Sequence, residues 1–368
     1  MITRRKYLHH CMTGIAGLVL ASDLPFAMAA APKRVIFAIN GTLGDKSFFD
    51  LGASGMKAIS AKYGNTVETK ILEMGSDRTS WETTLQDISD QHWDLIVACT
   101  YEMSEIIGDV AADHPDKKYV LFDGLVSYVK GAGKNVDSII YKQNEVSYLA
   151  GMLAAGLIRD GVLPAKNGTA MGFLGGMDIP IINDYLVGYI EGARAINKNI
   201  KIATSYAGTF SDAAKGKELA LSQFRAGSAI GLHVAGQTGL GLLSAAKDTG
   251  KFAIGANSDQ ESIFQASDPA IASRIVTSLL KRVDQTLLSA YELYGAGKLP
   301  VGTVQAQGLA ENAVGLVESG NMARMASPAL KKQIDDAKKA IIAGQLKVPT
   351  AFGMSTAALN NLRASVRA

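Results

Sequence analysis

The chain has 368 residues, with 37 Lys and Arg against 34 Asp and Glu, and 48% of its residues are hydrophobic. A charge balance this close to neutral argues against nucleic acid or an anionic membrane surface as the partner. The length exceeds what one hydrophobic core usually supports, so two α/β lobes or domains are expected.

Residues 1–30 read as a targeting segment to be set apart from the fold. Thr3-Arg4-Arg5-Lys6-Tyr7-Leu8 has the pattern of a twin-arginine export signal, an apolar run follows at Met12–Leu20, and Ala27-Met28-Ala29 is a small-x-small cleavage site. The apolar run is shorter than the roughly 20 residues that span a bilayer. Cys11 lacks the small-residue context of a lipidation site, so no lipid anchor is read. The expected product is a soluble periplasmic protein with a net charge of +1, because Arg4, Arg5, Lys6 and Asp23 leave with the segment. Cys99 is then the lone cysteine, and no intrachain disulfide can form.

From there apolar runs alternate with amphipathic helical patterns. Val35–Ile39 leads through Gly41–Asp50 into a helix over Ser47–Tyr63, followed by strands at Val67–Leu72, Asp94–Ala98, Tyr119–Phe122 and Ser138–Tyr141 with helices near Ser80–Gln91 and Glu102–Ala112 between them. A second set follows: a helix at Glu145–Ile158, then strands at Thr169–Leu174, Ile200–Tyr206, Ile230–Val234 and Phe252–Ala256, with helices near Ile182–Ile196, Asp212–Ala226 and Gly239–Asp248. Nearly continuous apolar strands alternating with helices mean right-handed βαβ units and parallel sheets covered on both faces. A long helix is expected over Ile271–Tyr294 and a further strand at Val301–Gln307, which either extends the second lobe or crosses back to the first. The tail from Ala326 reads as an amphipathic surface helix with a solvated lysine face.

Catalytic patterns are missing. No Gly-Lys pair is followed by Ser or Thr, Gly236, Gly239 and Gly241 are not spaced as a dinucleotide fingerprint, and no G-x-S-x-G elbow occurs. His92, His114 and His233 lie far apart without metal-ligand spacing, and Cys99 ends an apolar strand with no histidine near it, as an inert buried thiol would. No cofactor and no metal are therefore expected.

Polar and aromatic residues instead cluster just after the strands, where open parallel sheets bind ligands. They include Asn40, Asp45, Thr100-Tyr101-Glu102, Asp123, Met177-Asp178, Phe210, Asp212, Gln237, Asn257 and Asp259. Each alone has an ordinary reading as a helix cap. Phe48 and Phe49 cannot both face the core at helical spacing, so they are either two partly buried core rings or a core ring and a stacking platform.

Several of these stretches together resemble the basic membrane protein family, purine-nucleoside receptors of ABC importers. The matching stretches are Asp45-Lys46-Ser47-Phe48, Tyr206-Ala207-Gly208-Thr209-Phe210-Ser211-Asp212, Ala235 to Gly241, Gly255-Ala256-Asn257-Ser258-Asp259-Gln260 and Ser278 to Asp284. The resemblance covers about 33–320. It implies a type I periplasmic binding fold, with two doubly wound parallel-sheet lobes joined by a multi-crossing hinge. The lobes would be 33–142 plus about 260–298, and 143–259 plus about 299–325, with a helical tail at 326–368. It implies a nucleoside held between Phe48 and Phe210, its ribose bound by Asp123, Asp259 and Lys281, with Gly236 allowing close backbone approach. Asn40, Asp45, Phe49 and Asn257 complete the expected ligand-binding set. The family commonly has Asn where Phe49 stands and Asp where Asn257 stands, which implies a shifted specificity. The expected function is non-enzymatic capture of a nucleoside-like ligand by a monomer that delivers it to an inner-membrane ABC permease. The alternative is an exported α/β enzyme, or a ligand-sensing receptor protein, acting on another aromatic or polyol ligand such as a flavin.

Overall fold

The computed structural model describes residues 31–163 and 169–367. The expected export segment lies outside those residues. The first half runs β1 (Lys33–Ile39), α1 (Phe48–Tyr63), β2 (Val67–Glu73), α2 (Trp81–Ser89), β3 (Leu95–Cys99), α3 (Ser104–Asp113), β4 (Tyr119–Phe122) and β5 (Val136–Tyr141). The second half runs α4 (Gln143–Arg159), β6 (Thr169–Gly175), α5 (Pro180–Ile196), β7 (Lys201–Tyr206), α6 (Ala213–Arg225), β8 (Ile230–Val234), α7 (Gly236–Thr249), β9 (Phe252–Asn257), α8 (Gln260–Ser267), α9 (Pro269–Ala272) and β10 (Ile275–Lys281). It is followed by α10 (Val283–Gly295), β11 (Thr303–Gln307), β12 (Val314–Leu316), α11 (Gly320–Met325), α12 (Pro328–Ile342) and α13 (Thr356–Ser365).

Two six-stranded sheets result, in the orders β11-β5-β4-β3-β1-β2 and β12-β10-β9-β8-β6-β7. All pairings are parallel except β12 on β10. Strands β1, β3 and β4 are buried almost throughout, as strands covered by helices on both faces must be. On the second lobe α4 and α5 pack backbone to backbone: a Cβ at Gly188 or Gly192 would overlap the carbonyls of Asn144 and Tyr148. Only glycine permits that approach.

The chain crosses between lobes three times, at Lys142 after β5, at Arg282 after β10, and between β11 and β12. The crossings are tied to one another, Lys142 N donating to Gln307 O at 2.8 Å and Arg282 N to Ala313 O at 2.9 Å. This corrects the expected boundaries. The stretch expected as one helix, Ile271–Tyr294, is a short helix end, the strand β10 and the helix α10. A strand buried on both faces reads as a continuous apolar run, which periodicity cannot tell from a buried helix. β10 lies in the second sheet, so residues 260–281 belong to lobe two rather than lobe one. β11 pairs with β5, so 303–307 belong to lobe one rather than lobe two. α10 does return to lobe one, where Tyr291 meets Tyr63 edge-on at 4.9 Å.

The tail is more than a solvated helix. Leu330, Ile334 and Ile341 of α12 are buried, with Leu330 in the space a Cβ at Gly156 would need. Ile202 N donates to Val366 O at 2.8 Å, and Arg363 pairs with Asp178 at 2.6 Å. Both contacts fix the tail to lobe two.

Candidate functional site

The carboxyl ends of the two sheets face a common cavity of about 270 Å³. Nine of the ten expected ligand-binding residues line it: Asn40, Asp45, Phe48, Phe49, Asp123, Phe210, Gly236, Asn257 and Lys281. Asp259 does not. Its side chain turns back to cap α8, accepting from Ser262 N at 3.1 Å. Asp212 likewise caps α6, and Asp178 faces the tail.

The loop after β1 is built around Asp45. Its Oδ1 accepts from Ser47 N at 2.9 Å and Asp50 N at 3.2 Å, and its Oδ2 from Phe49 N at 3.0 Å. Burial pushes the Asp45 carboxyl up, and those backbone bonds pull it back. Asp45 therefore shapes the loop, and its two oxygens are committed. The loop delivers Phe48 and Phe49 as an edge-on pair 5.6 Å apart, with Phe48 also 5.5 Å from Phe122. The Phe49 ring lies over Gly41, where an added Cβ would be 2.5 Å from it.

Phe210 sits on the other lobe. Its ring covers Gly176, and its carbonyl accepts from Thr238 N at 3.0 Å. Gly236 adopts φ +53 and a Cβ there would stand 3.2 Å from the Phe210 carbonyl, so a side chain at this start of α7 would be both strained and crowded. Met177, Ile179, Ile181, Ile182 and Val234 complete an apolar wall on this side.

At the hinge end Lys281 donates to Asp123 across the lobes at 2.7 Å, and both are buried. Burial works against the ammonium, but the Asp123 carboxylate and Tyr185 outweigh it and hold Lys281 above its ordinary value. The Lys281 ammonium also stands 5.7 Å from the Phe48 ring centre and 5.3 Å from that of Tyr185. Asn257 Nδ2 donates to Ser47 Oγ at 2.8 Å, and Ser258 Oγ to the Lys46 carbonyl at 2.7 Å, two further bonds between lobes.

Five non-glycine residues have positive φ among the described residues, and four of them surround this cleft: Lys46, Thr100, Asp123 and Asn257. Strained backbone of this kind clusters at ligand clamps and switch regions. His233 is fully buried, hydrogen-bonded to Gln260 at 2.8 Å, and burial lowers it to about 4, so it is a neutral packing residue. Cys99 is buried, and burial pushes its thiol up. Among the described residues no cluster of His, Cys, Asp and Glu could hold a metal ion, and no helix is long and apolar enough to cross a membrane. Sequence reasoning missed Trp81 and Tyr185, which line the cavity from helical turns that read as ordinary core.

A family profile described as "ABC transporter substrate-binding protein PnrA-like" matches residues 33–351. The chain is 30% identical over 338 residues to Basic membrane protein A of Borreliella burgdorferi, covering 90% of this chain and 89% of that protein. It is 27% identical over 352 residues to the ABC transporter nucleoside-binding protein BmpA of Lactococcus lactis, covering 93% of each. Among solved structures it resembles an ABC transporter solute-binding protein from Aeropyrum pernix, with a TM-score of 0.77 and 25% identity over 91% of this chain and 98% of that one. A carbohydrate transporter solute-binding protein from Agrobacterium radiobacter shares the fold at 13% identity, with a TM-score of 0.61 over 83% of this chain and all of that one. The two α/β lobes are those of the type I periplasmic binding proteins.

Proposed function

The chain belongs to the PnrA-like family of ABC transporter substrate-binding proteins, whose members bind a small molecule and work with a permease, and on that premise we propose that it captures a nucleoside or nucleoside-like ligand between its lobes. The observation that carries this reading is the placement of two rings, Phe48 from lobe one and Phe210 from lobe two, on the same cavity as the buried Asp123–Lys281 pair. A base has a π-face to stack on each ring, at roughly 1–3 kcal/mol per contact. Sugar hydroxyls suit a buried charged pair because charge-assisted hydrogen bonds are the strong kind. The nucleoside-binding name of the Lactococcus lactis relative supports the same class.

The protein acts in this reading as a monomeric receptor without catalysis, exported by its twin-arginine-type segment to the periplasm. Closure follows the hinge mode of two-lobed binding proteins, with the three crossings as the hinge. The further rings Phe49, Trp81 and Tyr101 on the cavity favour a second reading, a larger flat ligand such as a flavin. A thermal-shift screen of nucleosides, free bases and flavins separates the two, because a ligand stabilises by RT ln(1 + [L]/Kd). Calorimetric titration of Phe48→Ala and Phe210→Ala then tests the clamp. Each is expected to weaken nucleoside binding roughly 5- to 150-fold; unchanged affinity in both variants rejects it.

A further inference from the structure

The carboxylates on the cavity are not equivalent. Asp45 spends both oxygens on backbone N–H groups of its own loop, and Asp123 is paired with Lys281. Glu102 also lines the cavity, half-buried, yet it accepts no hydrogen bond and forms no ion pair with any described residue. Burial raises its carboxyl, and the Arg78 charge draws it back down.

Its position is built. Thr100, at the end of β3, has φ 77, a conformation that a β-branched residue rarely adopts. Three features hold it there: Thr100 N donates to Phe122 O at 3.0 Å, its Oγ1 accepts from Asn40 Nδ2 at 2.8 Å, and Gly124 leaves room for its carbonyl. The single helical turn that follows, Tyr101–Met103, carries Glu102 onto the cavity. On another part of the lobe-one lining, Phe49 packed over Gly41 presents only ring carbon. The first loop therefore offers a stacking surface and a carboxylate already committed to its own backbone, while the loop after β3 offers a carboxylate that is free to accept.

We propose that Glu102 sets which base the cavity selects, accepting hydrogen bonds from a ring that carries two adjacent N–H donors, the edge that guanine presents. The inference rests on the nucleoside reading above. An ionised carboxylate is acceptor-only and its two oxygens match paired donors. It repels an edge whose ring nitrogen is itself an acceptor, as in adenine, and makes one bond fewer to hypoxanthine, which lacks the exocyclic amine.

The test is calorimetric titration of the wild-type protein, Glu102→Gln and Glu102→Ala with guanosine, inosine and adenosine, with melting temperatures recorded for each. The wild type is expected to bind guanosine at least about 10-fold more tightly than the other two. Glu102→Gln places an amide donor against one ligand N–H, so guanosine weakens roughly 10- to 100-fold while adenosine changes only a few-fold. Glu102→Ala should abolish the same preference without the opposing donor. Nucleoside binding that depends on Phe48 and Phe210 but shows no guanosine preference, or a preference that survives in both Glu102 variants, overturns this inference alone. Absence of binding by any nucleoside to the wild type overturns it together with the nucleoside reading.

Discussion

The two lobes share one plan but contribute opposite chemistry to the cleft. Each has its first five strands in the order 2-1-3-4-5, with a sixth added by the returning chain. Lobe one supplies all the carboxylates that line the cavity, Asp45, Glu102 and Asp123, together with Phe48 and Phe49. Lobe two supplies Lys281, the one lining cation among the described residues, along with Phe210 and an apolar wall of isoleucines, Met177 and Val234. Neither lobe alone completes the charged pair or the two-ring arrangement. In the proposed reading, a ligand that contacts both sides gains affinity only when the lobes are together, and binding would thereby be coupled to closure.

The sharpest way to break this division is at the buried Asp123–Lys281 contact. Lys281→Met leaves Asp123 buried and unpaired and is expected to cost about 3–5 kcal/mol in chemical denaturation. The Asp123→Asn/Lys281→Met double variant should recover most of that loss, because removing both charges removes the uncompensated one. A single variant as stable as the wild type would mean that the pair is solvated and does not link the lobes.

A smaller effect is expected at the aromatic faces. Gly176→Ala puts a methyl group where the Phe210 ring lies, so the lobe-two ring must move while the lobe-one rings stay in place. Nucleoside affinity is expected to fall about 10-fold, less than the upper range for deleting a stacking ring. Titration of Gly176→Ala beside Phe210→Ala gives the ratio, and equal affinities in Gly176→Ala and wild type would remove lobe two from the clamp.

Each lobe also buries a carboxylate that does not line the cavity, Asp137 and Asp184, and burial acts on the two alike. Asp137 accepts from Gln305 Nε2 at 3.0 and 2.9 Å, and Asp184 accepts from Thr350 Oγ1 at 2.5 Å and Ala351 N at 2.9 Å. Burial raises both to about 6, against the hydrogen bonds that lower them. The folded state thus binds these protons more tightly than the unfolded chain does. Their contribution is fully present below about pH 4 and is lost as pH rises through 6. Asp184→Asn should flatten part of that fall, by of order 1–3 kcal/mol in denaturation midpoints compared at pH 4.5 and pH 7. An unchanged pH slope would mean that Asp184 is ionised at no cost.

The smallest effect is expected on the outer face of the tail. Lys339→Ala removes an exposed pair with Asp335 one helical turn away, and the melting temperature should stay within experimental error. A clear drop would show that this face is covered.

Much of the site could be read from the chain because its residues sit at strand ends, and strand ends follow from apolar runs. Asn40, Asp45, Asp123, Phe210 and Asn257 stand at such ends and each lines the cavity, whereas Gly236 is implied by the family resemblance and also lines it. Asp259 was not separable from a helix cap, since an Asp before Gln260-Glu261-Ser262 suits either role. Tyr185 and Trp81 lie inside helical patterns, where an aromatic residue reads as core whichever way the helix turns. The β10 strand was read as helix for a related reason: burial on both faces erases the alternation that marks a strand.

What the sequence determined by itself is the α/β alternation, the two lobes and the family, because hydrophobic periodicity and ordered short motifs are local properties of the chain. Only the tertiary structure decided which lobe β10 and β11 join, that the tail is held against lobe two, and which polar residues remain free. Those outcomes depend on partners far apart in the chain, such as Lys281 with Asp123 and Gln307 with Lys142. Hydrogen-bond satisfaction is settled pair by pair in space, so sequence lists the candidate ligands and the fold removes those already spoken for.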